Sequence, residues 1–157
     1  MQKTIASHAL VLLLTVAFMT ATGRSQEQSI RKNDVPAAIL EAFQKSYPKA
    51  AIKGYAKEVE HDTLKYEIES TEGKVHRDVT YLADGTMVSV EETLPYKDLP
   101  EAVRKSLDRE YPNAKVNICE KIMKGSTVQY ELLIRYRKEK FEVLFNPDGT
   151  IVKTEKK

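Results

Sequence analysis

The feature that most constrains this chain is an internal repeat at a single fixed offset. Shifting the sequence by 64 positions, without gaps, aligns Tyr47-Pro48 with Tyr111-Pro112 and the triplet Asp84-Gly85-Thr86 with Asp148-Gly149-Thr150. Self-similarity at one offset indicates duplicated supersecondary units that bury their apolar faces together. We therefore expect two tandem copies of one unit, at residues 34–94 and 95–157.

Each copy begins with the pattern of a short helix. Pro36 and Pro100 follow an acidic and an apolar residue, and proline is tolerated in the first turn of a helix. Apolar residues then recur at helical spacing in both copies. Because Pro48 and Pro112 cannot continue a helix, the pattern predicts one helix of about three turns at the start of each copy.

Four short runs of alternating apolar and polar residues follow each helix. In the first copy they cover residues 52–60, 63–70, 75–83 and 86–92, and in the second copy 116–123, 127–136, 140–146 and 150–154. An Asp-Gly pair between such runs is a strong hairpin signal, and connections this short require antiparallel neighbours. The predicted fold class is α+β, with two tandem α-β-β-β-β repeats forming an antiparallel sheet and the helices packed on one face.

The N-terminus has the pattern of a secretory signal peptide. Lys3 precedes an apolar run over residues 9–19, and small residues lead up to Gly23. The run is too short for a membrane span, which needs roughly 20 apolar residues. We expect residues 1–23 to be cleaved, leaving a periplasmic or secreted protein with no membrane span. Residues 24–33 are expected to form a flexible leader and residues 153–157 a frayed tail.

The charge balance argues against a nucleic-acid partner. Charged residues make up 31% of the chain, yet the formal charge is only +2, and it falls to +1 when Lys3 leaves with the signal peptide. A nucleic-acid binder needs a concentrated basic face to displace phosphate counterions. Lysines that alternate with glutamates are instead typical of a solvated surface.

The residues that could hold a metal are few. His61 adjoins Asp62, and His76 lies two positions from Asp78. Ligand clusters usually need three or four converging groups, so we interpret both pairs as polar surface residues and predict neither a metal site nor a cofactor.

Candidate catalytic groups are equally sparse. The single cysteine, Cys119, has no histidine in its own copy to activate it and is expected to be an inert thiol. Glu67 and Glu131 recur at the repeat offset, which duplication alone explains, and we expect them to be solvent-facing salt-bridge partners. We predict no catalytic residue and no enzymatic activity.

The two copies differ on the sheet side that should face away from the helices. In the first copy the alternation places polar residues there, whereas in the second copy it places Leu133, Leu144 and Ile151. Leu82 and Met87 are their nearest analogues in the first copy. We predict that these five residues bind a partner, because a contiguous exposed apolar patch marks an interface. Coverage by the leader, the tail or another subunit is the alternative, and strand addition at a sheet edge is a second route to binding.

The repeated motifs resemble those of the PepSY-like family of exported bacterial proteins, which are related in fold to the beta-lactamase inhibitory protein. The resemblance rests on VPAAILEAFQKSYPKA with YLADGTMVSVEE, and on LPEAVRKSLDREYPNA with LFNPDGTIVKTE. It implies one concave sheet with helices on the convex side, a docking surface on the concave face, and a role in restraining peptidases or other envelope proteins.

The leading hypothesis is an exported, non-enzymatic module that docks an envelope protein through the concave face of its sheet. The alternative is a small-ligand or glycan binder whose cleft lies between the repeats and is lined by tyrosine and charged side chains. A structural homodimer, built on a self-complementary patch, is a third hypothesis.

Overall fold

The structure of the protein is a computed structural model that describes residues 27–157, so the predicted signal peptide lies outside the described residues. The chain forms helices α1 (Ala37–Ser46) and α2 (Glu101–Glu110). Its strands are β1 (Gln28–Ser29), β2 (Ala51–Glu60), β3 (Thr63–Glu72), β4 (Val75–Leu82), β5 (Met87–Thr93), β6 (Lys115–Lys124), β7 (Thr127–Tyr136), β8 (Glu139–Phe145) and β9 (Ile151–Lys156). Single 3₁₀ turns at Lys32–Asp34 and Tyr96–Asp98 precede the two helices.

The nine strands form a single sheet in which spatial order follows chain order from β1 to β9, and every neighbouring pair is antiparallel. The predicted α+β class is confirmed, and strand groups β2–β5 and β6–β9 reproduce the two predicted units. In residues 27–157, no helix is both long and apolar enough to cross a bilayer.

The helices and the sheet enclose two apolar cores, one for each copy. In the first copy Ile39 and Phe43 of α1 are buried against the sheet, and in the second copy Val103 and Leu107 of α2 are buried in the same way. Met123 of β6 packs against the first core, so the two cores meet where the copies join. Both helices therefore lie on one face of the sheet and leave the opposite face uncovered by helix.

The Asp-Gly-Thr turns fix each β-hairpin against its helix. Gly85 and Gly149 have φ values of +87° and +85°, which favour glycine. A Cβ atom on Gly85 would lie 2.8 Å from the carbonyl oxygen of Ala38, and one on Gly149 would lie 2.5 Å from that of Ala102. The turn thus packs on the first turn of the helix at a distance that only glycine permits.

Regular structure begins earlier than the sequence predicts, because β1 and a 3₁₀ turn lie within the expected leader. The amide of Ile30 donates a hydrogen bond to the Tyr55 carbonyl at 2.9 Å, and at the repeat offset the amide of Leu94 donates to the Cys119 carbonyl at the same distance. β1 therefore occupies beside β2 the position that the end of β5 occupies beside β6. The expected frayed tail is also ordered, since β9 pairs with β8 as far as Lys156.

Candidate functional site: the open face of the sheet

A band of carboxylates crosses the face of the sheet opposite the helices, which we call the open face. Directly opposed residues on antiparallel strands point to the same face, and the register pairs Asp78 with both Glu69 and Glu91, and Glu120 with Glu131. The acidic band defined in this way runs obliquely from β3 to β9 and comprises Glu67, Glu69, Asp78, Glu91, Glu120, Glu131, Glu142 and Glu155.

The two carboxylates that recur at the repeat offset are the most perturbed. Burial raises the pKa of Glu67 to about 7, with a further contribution from the nearby Asp78. Burial likewise raises the pKa of Glu131 to about 7, and Glu142 adds to the effect. Both carboxylates are therefore partly protonated near neutral pH. The sequence predicts solvent-facing salt-bridge partners at these positions, whereas the structure shows half-buried carboxylates surrounded by like charge.

The centre of the acidic band is not neutralised by the protein's own cations. Burial and neighbouring carboxylates raise the pKa values of Asp78, Glu91 and Glu120, each above the usual range for its side chain. Among residues 27–157, no lysine or arginine forms an ion pair with these three groups or with Glu67 and Glu131. Like charges held together without counter-charge favour the approach of a cation from outside.

In the part of the chain that the structure describes, lysines compensate the acidic band only at its β8–β9 end. Lys157 Nζ lies 2.8 Å from a carboxylate oxygen of Glu142, and Lys153 Nζ lies 2.6 Å from one of Glu155. The part of the acidic band without a lysine or arginine partner therefore lies on strands β3 to β7.

An apolar patch adjoins the acidic band in the second copy. Leu133 lies directly opposite Ile118 on β6, which is 42% exposed, and Leu144 lies directly opposite Glu131. Leu133 and Leu144 are both half-buried on the open face. The structure therefore brings together two of the five predicted partner-binding residues and adds Ile118, which the sequence pattern misses. We call Ile118, Leu133 and Leu144 the apolar patch.

The other three predicted residues do not join the apolar patch. Alternation predicts Ile151 on the open face, but this residue packs against the second core, because a bulge in β9 places it opposite Phe145. A similar bulge in β5 places Met87 opposite the buried Tyr81, although Met87 itself is 40% exposed. Leu82 does lie on the open face, opposite Lys65, but in the first copy and away from Leu133.

Of the candidate histidines and the cysteine, His76 and Cys119 both line a cleft at the junction of the two copies, and His61 lies elsewhere. Within residues 27–157, no group of three His, Cys, Asp or Glu side chains is arranged to hold a metal ion. His61 is exposed in the β2–β3 turn. Burial raises the pKa of Cys119 to about 11, so this thiol stays protonated at neutral pH.

The fold and the open face together define the chain as an α+β protein with a duplicated unit and one sheet face free for contact. The family model described as "Putative beta-lactamase-inhibitor-like, PepSY-like" matches residues 21–89 and 71–153. The chain belongs to this PepSY-like family, whose two matches overlap over residues 71–89. A search of curated proteins finds no match.

Solved structures share the fold. A Bacteroides eggerthii protein described as a "putative periplasmic" protein is 18% identical with a TM-score of 0.67, over 78% of this chain and 88% of that one. A DUF2874 family protein from Bacteroides ovatus is 19% identical with a TM-score of 0.63, over 78% and 87%. A BLIP-like protein from Bacteroides fragilis is 20% identical with a TM-score of 0.62, over 78% and 86%. Likeness at this identity concerns the fold alone.

Proposed function

We propose that the protein is a non-enzymatic periplasmic binding module that docks a basic protein surface on its open face. The observation that carries the proposal is the acidic band, whose central carboxylates have raised pKa values and no cationic partner among residues 27–157. The periplasmic location is supported by the secretory pattern of residues 1–23 and by the description of the Bacteroides eggerthii structure.

Electrostatics favours a partner rich in lysine and arginine. An ammonium or guanidinium group placed between Asp78, Glu91 and Glu120 would offset the burial and the like-charge repulsion that raise their pKa values. Complementary charge also accelerates encounter and discriminates against wrong partners. The partner surface is therefore expected to be basic, a property that the sequence pattern does not specify.

The apolar patch favours a protein surface over a lone cation as the occupant. Protein interfaces combine an apolar centre with a polar rim, and Ile118, Leu133 and Leu144 provide apolar area directly beside the acidic band. A basic surface that also carries apolar side chains would contact both parts at once.

A defined peptide pair tests the charge requirement. Mature protein, residues 24–157, is titrated by calorimetry with a lysine–leucine peptide and with the same peptide carrying glutamate in place of lysine. The lysine peptide is expected to bind and the glutamate peptide is not. The triple variant E67Q/E91Q/E131Q should lose roughly tenfold or more in affinity, because three of the charges that attract the peptide are removed. The control E41Q/E101Q/E110Q removes three acids from the helices and should bind like the parent protein.

The binding should also depend on pH with a defined sign. Glu67 and Glu131 ionise as the pH rises through about 7, so affinity for the lysine peptide should increase between pH 5.5 and pH 8.5. In E67Q/E131Q the increase in affinity that comes from ionisation of these two carboxyl groups should disappear. Equal affinity for the two peptides, or an unaltered E67Q/E91Q/E131Q variant, would show that the acidic band is not the binding surface.

The apolar patch is tested separately from the charge. L133A/L144A should bind the lysine–leucine peptide with about tenfold lower affinity, since each leucine buries apolar area on binding. Its salt dependence should match that of the parent protein, because no charge has changed. A loss of salt dependence in this variant would instead mean that the sheet itself had been disturbed.

A further inference from the structure

A cleft lies at the junction of the two copies, at the point where β5 leaves the sheet. β5 ends at Thr93, and the chain turns away through Leu94 and Pro95, whereas β4 and β6 continue on either side. The gap is a cavity of about 350 Å³, within the range of roughly 300–1,000 Å³ typical of small-molecule sites.

The walls of this cleft are mainly apolar. Val75, Leu94, Pro95 and Ile118 line it, and Cys119 contributes from β6. The alternative hypothesis expects tyrosine and charged side chains in a cleft between the repeats, whereas the described residues that line this cleft include Lys74 but no tyrosine. The chemistry of the walls favours a hydrocarbon or aromatic body over a glycan, whose hydroxyl groups need many hydrogen-bond partners.

The lining of the cleft differs in charge from the acidic band, although Glu120 of that band lies near enough to Cys119 to raise the pKa of its thiol further. Among the described residues, Lys74 lines the cleft and no aspartate or glutamate does. The hydroxyl of Thr93 already accepts a hydrogen bond from the His76 amide at 2.9 Å, so this polar wall group is satisfied within the protein. A ligand head group would therefore meet a lysine rather than a carboxylate.

The residues of the first copy that match Ile118 and Cys119 differ in size from them. Tyr55 is the first-copy counterpart of Cys119 at the repeat offset, and it packs against the first core. Gly54 is the counterpart of Ile118. At the repeat offset the first copy therefore has a larger side chain at the position of Cys119 and none at the position of Ile118.

We propose that this junction cleft binds a small amphiphile with an apolar body and an anionic head group. The apolar walls would take the body, and the ammonium group of Lys74 would pair with the head. None of the described residues that line the cleft belongs to the acidic band, but Ile118 is shared with the apolar patch, so a ligand here would lie beside the docking surface and change one of its residues' contacts.

The anionic dye 8-anilinonaphthalene-1-sulfonate, which joins an aromatic body to a sulfonate, is the probe. Its fluorescence with mature folded protein should saturate at one dye per chain. K74E should weaken dye binding by about tenfold, because attraction becomes repulsion. The matched control K138E changes the second-copy counterpart of Lys74, which does not line the cleft, and should leave binding unchanged.

Two variants fill the cleft without changing its charge. C119Y introduces the tyrosine of the first copy and should abolish dye binding while the melting temperature shows a folded protein. Should C119Y not fold, V75W fills the same space from a partly exposed strand start. An uncharged dye should be lost in the filled variants but retained in K74E. Dye binding that survives both filled variants, or that K74E and K138E reduce equally, would overturn the proposal.

Discussion

The two copies pack the same fold element in different ways, and the clearest contrast lies beneath the tyrosine that ends each helix. In the first copy the Arg77 guanidinium lies 4.2 Å from the centre of the Tyr47 ring, and Arg77 Nε lies 2.5 Å from a Glu92 oxygen. In the second copy Phe141 occupies the position of Arg77, and its ring centre lies 6.0 Å from that of Tyr111. One backbone thus accepts either a buried ion pair or an aromatic cluster.

The open faces of the two copies differ as well. The apolar patch residues Ile118, Leu133 and Leu144 correspond, at the repeat offset, to Gly54, Glu69 and Thr80. The carboxylates Glu67 and Glu131, by contrast, are present in both copies with similarly raised pKa values. The charge of the open face is shared between the copies, and its apolar character belongs to the second.

Substitution of the turn glycines should give the largest loss of stability. Comparing the losses in the two copies tests how closely their turns match. G149A should lower the free energy of unfolding by about 3 kcal/mol or more, because alanine is strained at positive φ and its Cβ would overlap the Ala102 carbonyl. G85A should cost somewhat less, since the corresponding distance is 2.8 Å instead of 2.5 Å. Urea denaturation measures both. In the control G73A, no atom lies within 4 Å of the new Cβ, so about 1 kcal/mol is expected.

Substitution of the buried Arg77 should give the next largest loss of stability. R77M is expected to destabilise the protein by about 2–3 kcal/mol, because it leaves Glu92 without its partner in a partly buried site. The triple variant R77F/E72Y/E92K installs the residues of the second copy at the matching positions and should recover most of that loss. If the triple variant is no more stable than R77M, the two solutions are not interchangeable, and the copies differ in backbone as well as in side chains.

The smallest change in stability is expected from the hydroxyl group of Tyr81. Tyr81 Oη is buried and has no hydrogen-bond partner among the described residues, and the second copy has Phe145 at this position. Y81F should therefore raise the free energy of unfolding by about 1 kcal/mol, whereas F145Y should lower it by a similar amount. Thermal melts of the two variants check the opposite signs. A loss of stability in Y81F would reveal a hydrogen bond to this hydroxyl.

The duplication, the helices and the hairpin order could be predicted from the sequence because local chemistry dictates them. Helix α1 begins directly after Pro36 and α2 directly after Pro100, and each strand of the two repeats lies within a few residues of its predicted run. Alternation also places Leu133 and Leu144 correctly on the open face. These signals need no knowledge of which strand lies beside which.

The candidate sites could be predicted only in part, because they depend on register across strands. A bulge between Val116 and Ile118 turns Ile118 to the open face, and a bulge in β9 turns Ile151 toward the core. Alternation along a single strand cannot reveal either. The acidic band likewise forms only when Glu120 comes to lie opposite Glu131, so its raised pKa values have no signal in the sequence.

The pairing of the two-residue strand β1 with β2 shows where the repeating structural unit begins and ends. Because β1 stands beside β2 as the end of β5 stands beside β6, a single translation along the sheet carries one boundary onto the next. The modular unit therefore runs from about residue 28 to residue 91, and it starts with a strand end instead of a helix. A third module spliced in after residue 91 would meet both neighbours through the existing junction, so the array could be lengthened without inventing a new interface.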